Sequence, residues 1–186
     1  MVQIKEGYLN KEDIEFLDKT VTNNNMFPWY YLPKPVTEKY PCLTHILLPR
    51  YNYDTNKGFQ INSDLYKSFT SIVENICFKN KIKIKRILRA ALTLTWNFKG
   101  KHSNPHFDHD FEHINIIIYL NKFSKGSTFL FKETFNDTKG RKVIKEMKAD
   151  KGKYIIFPGA NYHAAGFPGK AGEVRIICIY TIEVAK

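Results

Sequence analysis

From Ile87 onward the chain is a series of short β-branched and aromatic segments punctuated by glycine turns, and this rhythm constrains its fold more than any other feature. Leu92 to Trp96, Ile114 to Asn121, Gly126 to Phe131, Lys151 to Gly159 and Glu173 to Tyr180 each have the length of one strand with its turn. Turn signals stand at Lys99-Gly100, Lys125-Gly126, Lys139-Gly140 and Lys151-Gly152. Many short strands joined this way form two facing antiparallel sheets, a jelly roll. Upstream the pattern differs. After a short strand or turn, a helix is expected from Asn10 to Lys19, capped by Asn10, with Ile14 and Leu17 on its buried face. Residues 22 to 60, rich in Pro, Asn and Tyr, read as irregular. A second helix starts at Asp64 and ends near Asn80, with Leu65, Phe69, Ile72, Val73 and Ile76 as a stripe that packs on the sheet. The expected organisation is one domain over residues 1–186: helical and irregular support over 1–85, and a β core over 86–181.

Within that core, a small set of polar residues is placed for chemistry. His106 and Asp108 flank Phe107, and in extended chain residues two apart face the same way. Together with His163 they offer two imidazoles and one carboxylate. On one face of an octahedron that set leaves three positions open, as non-heme Fe(II) oxygenases require. A structural zinc site would be closed by four protein ligands, and Cys42, Cys77 and Cys178 are too scattered to supply them. His102, His109, His113 and Asp110 crowd the same stretch. His109 and Asp110 are adjacent and would point to opposite faces, and His113 fits a supporting role, orienting a ligand. Of the 29 basic residues only five are Arg, and Arg175 stands out as the one inside an apolar strand, on the face of Ile177 and Ile179. Its guanidinium can give a carboxylate two parallel hydrogen bonds, which a lysine cannot.

The segments Pro105-His106-Phe107-Asp108 with His113, Ile118-Tyr119-Leu120-Asn121 with Gly126-Ser127-Thr128, Lys151 to Gly159 with Tyr162-His163-Ala164, and Arg175 with Tyr180 resemble the Fe(II)- and 2-oxoglutarate-dependent oxygenases. The likeness is greatest to small prolyl-hydroxylase-like members of phage and marine microbes, and runs in register over residues 86 to 181. It implies a double-stranded β-helix, the cupin-like jelly roll, with iron on His106, Asp108 and His163 and the distal carboxylate of 2-oxoglutarate on Arg175. Tyr119 and Thr93 are implied as hydroxyl partners of that carboxylate. The implied reaction is hydroxylation of a small-molecule or peptidyl substrate, consuming O2 and releasing succinate and CO2, with ascorbate as a candidate reductant. In related halogenases a small residue replaces the carboxylate ligand, so Asp108 favours hydroxylation. Nucleic-acid demethylases on this scaffold carry a second arginine shortly after the first, whereas Ile176 to Tyr180 follow here. A dealkylase and a non-catalytic jelly-roll binding protein are the alternatives.

Composition agrees with a globular enzyme. At 186 residues and 43% hydrophobic content the chain can bury a sizeable core. No 18-residue apolar run could span a membrane, Met1 to Gly7 lack the apolar stretch of a secretory signal, and three unpaired cysteines suit a reducing compartment. A cytoplasmic location is expected, that of the host if the chain is viral. The net charge of +11 gathers at Lys79 to Arg86 and at Lys139 to Lys153, where a nucleic acid could bind. The accompanying excess of Lys, Asn, Ile, Tyr and Phe is typical of AT-rich genes, so solvated lysine faces account for the charge more simply.

Overall fold

The computed structural model describes residues 3–35, 39–50, 60–139 and 142–185. Ten strands form two antiparallel sheets. The larger contains β1 (Lys5–Tyr8), β2 (Tyr30–Leu32), β3 (Cys42–Leu48), β4 (Ile84–Trp96), β5 (Ile114–Tyr119), β8 (Lys153–Pro158) and β10 (Val174–Val184), in the order β1-β8-β5-β10-β4-β3-β2. The smaller contains β6 (Thr128–Thr134), β7 (Val143–Met147) and β9 (Asn161–Ala165), in the order β7-β6-β9. The expected jelly roll is what the chain forms.

Alternation along the strands divides the core. Ile114, Ile116 and Ile118 of β5 and Ile176, Cys178, Tyr180 and Ile182 of β10 face two helices, α1 (Lys11–Leu17) and α2 (Tyr66–Lys79). Leu17, Phe69, Ile72, Val73 and Ile76 come from the helices to meet them, and each buried side chain contributes about 1.5–3 kcal/mol. Ile117, Tyr119, Ile177 and Ile179 face the other way and pack on Leu130 and Met147 of the smaller sheet. β5 is therefore covered on both faces, which explains its unbroken apolar run. The edge strand β7 instead exposes Lys145 and Glu146, charges that discourage pairing with another chain.

Several expected boundaries change. Asn10 does cap α1, accepting a hydrogen bond from the Asp13 amide at 2.7 Å, but the α-helix ends at Leu17 and a π-helical turn continues over Asp18–Thr22. Asp64 caps nothing; α2 begins at Tyr66 after Leu65. The region read as irregular, 22 to 60, contains β2 and β3, and β3 is interior to the larger sheet. Residues 36–38 and 51–59 of that region lie outside the described residues, as do Gly140 of the Lys139-Gly140 turn signal and Arg141 of the basic stretch. Gly100, Gly126 and Gly152 at the other turn signals all have positive φ, as such turns require.

Candidate active site

His163 lies in the middle of β9 and faces inward opposite Leu130 of β6. His106 and Asp108 lie outside the strands. An isolated bridge holds them in place instead: His106 N donates to His163 O at 3.0 Å, and His163 N donates to His106 O at 2.7 Å. The alternation expected of extended chain survives in this short bridge. Phe107 turns outward onto Tyr162, with ring centroids 5.2 Å apart, while His106 and Asp108 turn inward. One donor atom from each of His106, Asp108 and His163 lies within 4.8 Å of the other two, and among the described residues no other such group could hold a metal ion.

The hydrogen bonds around the trio fix which atoms are free. Nδ1 of His106 lies 3.3 Å from Asn104 O, and Nδ1 of His163 lies 3.1 Å from Asn161 O. A carbonyl only accepts, so each Nδ1 carries the hydrogen and each Nε2 of the neutral ring keeps a lone pair. Nε2 of His163 is buried and has no hydrogen-bond partner, although Asp108 Oδ2 is 3.4 Å away. The contact is close in distance but not aligned as a hydrogen bond, and a divalent ion would satisfy both atoms. Burial, and then the neighbouring His163, lowers the His106 pKa to about 4, so its ring is neutral and ready to coordinate at neutral pH. Burial alone would raise the Asp108 carboxyl, but His163, Arg89 and His106 hold it well below the usual carboxylate range.

Asp108 is gripped by residues the sequence did not single out. Asn115 Nδ2 donates to Oδ2 at 2.8 Å; Arg50 NH2 donates to Oδ1 at 2.7 Å and its NH1 donates to the Asp108 carbonyl. Arg89 approaches Oδ1 at 3.5 Å. Arg175 is consequently not the only arginine inside a strand, because Arg89 lies within β4 between Leu88 and Ala90. The signal was present. Asn115 shares the inward face of β5 with Ile117 and Tyr119, and Arg89 shares a face of β4 with Ala91 and Thr93.

Arg175 is 1% exposed and belongs to the same cavity wall as His106 and His163. Its Nε donates to Gly126 O at 3.1 Å and its NH2 donates to Thr128 Oγ1 at 3.1 Å; among the described residues no carboxylate pairs with it. Thr93 lines the cavity. Tyr119 lies beside Arg175, whose guanidinium carbon is 5.5 Å from the ring centroid, but its hydroxyl engages Thr128 Oγ1 at 2.7 Å. Thr128, unpredicted, thus joins the two. Thr95 Oγ1, on the same wall, is buried without a partner. A guanidinium removed from water with no counter-charge is costly unless an anionic ligand completes it.

The competing histidines are elsewhere. His102 packs against Phe129 and Phe131 at ring distances of 5.2 and 5.7 Å. His109 and His113 form an edge-on pair 5.2 Å apart, and His113 Nδ1 contacts Phe111 O at 2.7 Å rather than a ligand residue. The three cysteines are free and buried, and none joins the trio. Among the described residues no helix is long and apolar enough to cross a membrane.

No family model and no curated protein sequence matches the chain. Solved structures do. An oxidoreductase of the 2OG-Fe(II) oxygenase family from Burkholderia pseudomallei superposes with a TM-score of 0.73 at 13% identity, over 97% of this chain and 84% of that one. A prolyl-4-hydroxylase from Pseudomonas putida gives 0.57 at 12% identity, over 98% and 93%. The non-heme α-ketoglutarate-dependent epimerase SnoN of nogalamycin biosynthesis gives 0.64 at 11% identity, over 96% and 77%. The chain shares their fold.

Proposed function

We propose that this protein is an Fe(II)- and 2-oxoglutarate-dependent oxygenase that hydroxylates its substrate. One observation carries the assignment: His106, His163 and the buried, carboxylate-free Arg175 line one cavity, with the Asp108 carboxylate against His163 completing the trio of donors. A lone metal-binding trio or a lone buried arginine would suit many proteins; together they match a metal ion and a dicarboxylate that chelates it at one end. Nε2 of both histidines and Oδ2 of Asp108 would hold the iron. The backbone carbonyls of Asn104 and Asn161 keep the imidazoles oriented, and Asn115 keeps the carboxylate oriented. Arg175 and the Thr128 hydroxyl would receive the distal carboxylate of 2-oxoglutarate, while Ile117, Ile177 and Ile179 exclude water from the space between. Bound iron and 2-oxoglutarate supply the oxidising power, dividing O2 between succinate and a substrate hydroxyl as CO2 is lost. Since this fold also carries an epimerase, the outcome rests on this chain's own residues. We assign hydroxylation rather than halogenation because Asp108 fills the third ligand position with a carboxylate.

The test is titration of 2-oxoglutarate into the Fe(II)-loaded protein without oxygen, followed by its metal-to-ligand charge-transfer band. A saturable band, and succinate formation on admitting O2 that needs both iron and 2-oxoglutarate, are expected. Stoichiometric iron binding with no such band would overturn the assignment.

A further inference from the structure

Arg89 and Arg50 are the cations of the cavity that this assignment leaves unused. Arg89 points inward from β4 and Arg50 follows β3, and both line the wall that includes His106. Among the described residues their partner is Asp108 alone, and it does not saturate them. Arg50 reaches Oδ1 at 2.7 Å and also the Asp108 carbonyl, yet its side chain is still 42% exposed. Arg89 comes second to an oxygen already taken and stays at 3.5 Å, with no other partner among the described residues. Each guanidinium has five N–H donors, so most of the pair's hydrogen-bonding capacity is unspent.

Counting charge sharpens this. Among the described residues the cavity wall contains Arg50, Arg89 and Arg175 and neither aspartate nor glutamate. Three arginines and a divalent ion, set against Asp108 and a doubly charged 2-oxoglutarate, leave a surplus of two positive charges at a largely buried centre. Arg175 would be neutralised by the cosubstrate; the surplus belongs to the Arg50 and Arg89 end. The apolar and aromatic part of the wall lies instead toward Arg175: Leu32 pairs with Cys42, next to Leu43 opposite Leu94, and Tyr40 and Phe167, with rings 4.9 Å apart, both pack on Phe98 beyond Trp96.

We propose that Arg89 and Arg50 bind an oxyanion of the primary substrate, a carboxylate or a phosphate group, and so hold a small acidic molecule beside the iron. This rests on the oxygenase assignment above. Substrate chemistry follows from it: the matching amide or ester, lacking the charge, is a poor substrate. Arg50 and Arg89 also face Asp108, so an anion bound here changes the electrostatic field at the metal, which makes its arrival visible.

The experiment uses the Fe(II) and 2-oxoglutarate complex without oxygen, in which iron and Arg175 are already engaged. Sodium acetate or methyl phosphate is added at constant ionic strength while the charge-transfer band is followed. The expected result is a saturable shift of the band without loss of intensity, with its midpoint raised about tenfold in Arg89→Met, the effect of losing one charge-assisted hydrogen bond. Arg50→Met, at a more exposed side chain, should weaken binding in the same direction. The lower midpoint of the two anions identifies the substrate group as carboxylate or phosphate. No saturable shift, bleaching that shows displacement of 2-oxoglutarate, or midpoints unchanged in both variants would overturn the site. Absence of the band before any anion is added refutes the oxygenase assignment itself, and this site with it.

Discussion

Arg175 and Arg89 enter one cavity from the paired strands β10 and β4, and their electrical situations differ. Arg175 lies opposite Thr95, six residues along β4 from Arg89, so their backbones are about 20 Å apart. Arg175 is sealed among neutral oxygens and an aromatic ring, with no acid to pair with. Arg89 shares one carboxylate with a second arginine. The first arrangement is a closed socket for one negative group. The second positions a ligand residue and still has donors to spare. On the proposed assignment Asp108, whose Oδ1 meets Arg50 and Arg89 and whose Oδ2 faces His163, is the divider between a cosubstrate end and a substrate end, and each variant below tests that division.

The largest effect should come from removing the divider. Asp108→Ala takes away a metal ligand and the counter-charge of Arg50 and Arg89 together, and should abolish measurable Fe(II) binding in anaerobic equilibrium dialysis. His106→Ala and His163→Ala should do the same while leaving the arginines paired; undiminished iron affinity in any of the three would remove that residue from the centre. His102→Ala, which alters a ring packed on Phe129 and Phe131, should retain iron. Next in size, Arg175→Met should leave iron affinity near normal but raise the 2-oxoglutarate dissociation constant roughly a hundredfold or more, since an unpaired buried carboxylate costs on the order of 3–5 kcal/mol. Arg175→Lys should recover only part of that loss, lacking the two parallel bonds. An unchanged midpoint in Arg175→Met would show that the two ends of the cavity are not specialised.

The Arg175 end of the cavity was legible in the sequence and the Arg89 end was not, for a physical reason. Arg175 stands in a run of Ile and Cys buried on both faces, where a lone charge is conspicuous. β3 and β4 are covered less evenly. Cys42-Leu43-Thr44-His45-Ile46 mixes polar and apolar residues because its inner face lines a cavity, so its period is blurred and the segment reads as irregular. Arg89 sits near Lys83, Lys85 and Arg86, and sequence alone cannot separate an inward arginine from that solvated cluster before the register of β4 is known. The His106 and Asp108 spacing was legible although they lie on no strand, because a two-bond bridge to His163 preserves the alternation locally. Asn115 and Thr128 were missed because a single polar residue in a strand is ordinarily just a tolerated strand residue.

A smaller effect should follow from loosening Asp108 without removing it. Asn115→Ala deletes the hydrogen bond to Oδ2 and leaves Arg50 on Oδ1, so the carboxylate can swing away from the histidines. Iron affinity should fall roughly tenfold, as for other groups that orient a metal ligand. The same dialysis measures it, and an unchanged affinity would mean that Arg50 alone fixes the carboxylate.

The smallest effect concerns the metal-free protein and distinguishes the two ends by pH. His106 and His109 are both held near a pKa of about 4, by burial first and then by His163 and Arg50 respectively. In the unfolded chain an imidazole titrates near 6.5, so between about pH 6.5 and 4 the unfolded state binds protons that the folded state refuses. Stability should therefore be full above that window and fall as the pH drops through it. Asp108, whose pKa is depressed, adds a loss of the same sign only at lower pH, below its ordinary carboxylate range. Urea midpoints of the metal-free protein should decline from pH 6.5 to 4.5, and His109→Gln should flatten the decline by removing one of the imidazoles whose pKa burial lowers, leaving His106 and His113. Arg175→Met, whose polar neighbours Gly126, Thr128 and Tyr119 include no imidazole or carboxylate, should shift every midpoint by a similar amount and leave the slope intact. A slope that changed in Arg175→Met and not in His109→Gln would place the titrating groups at the wrong end of the cavity.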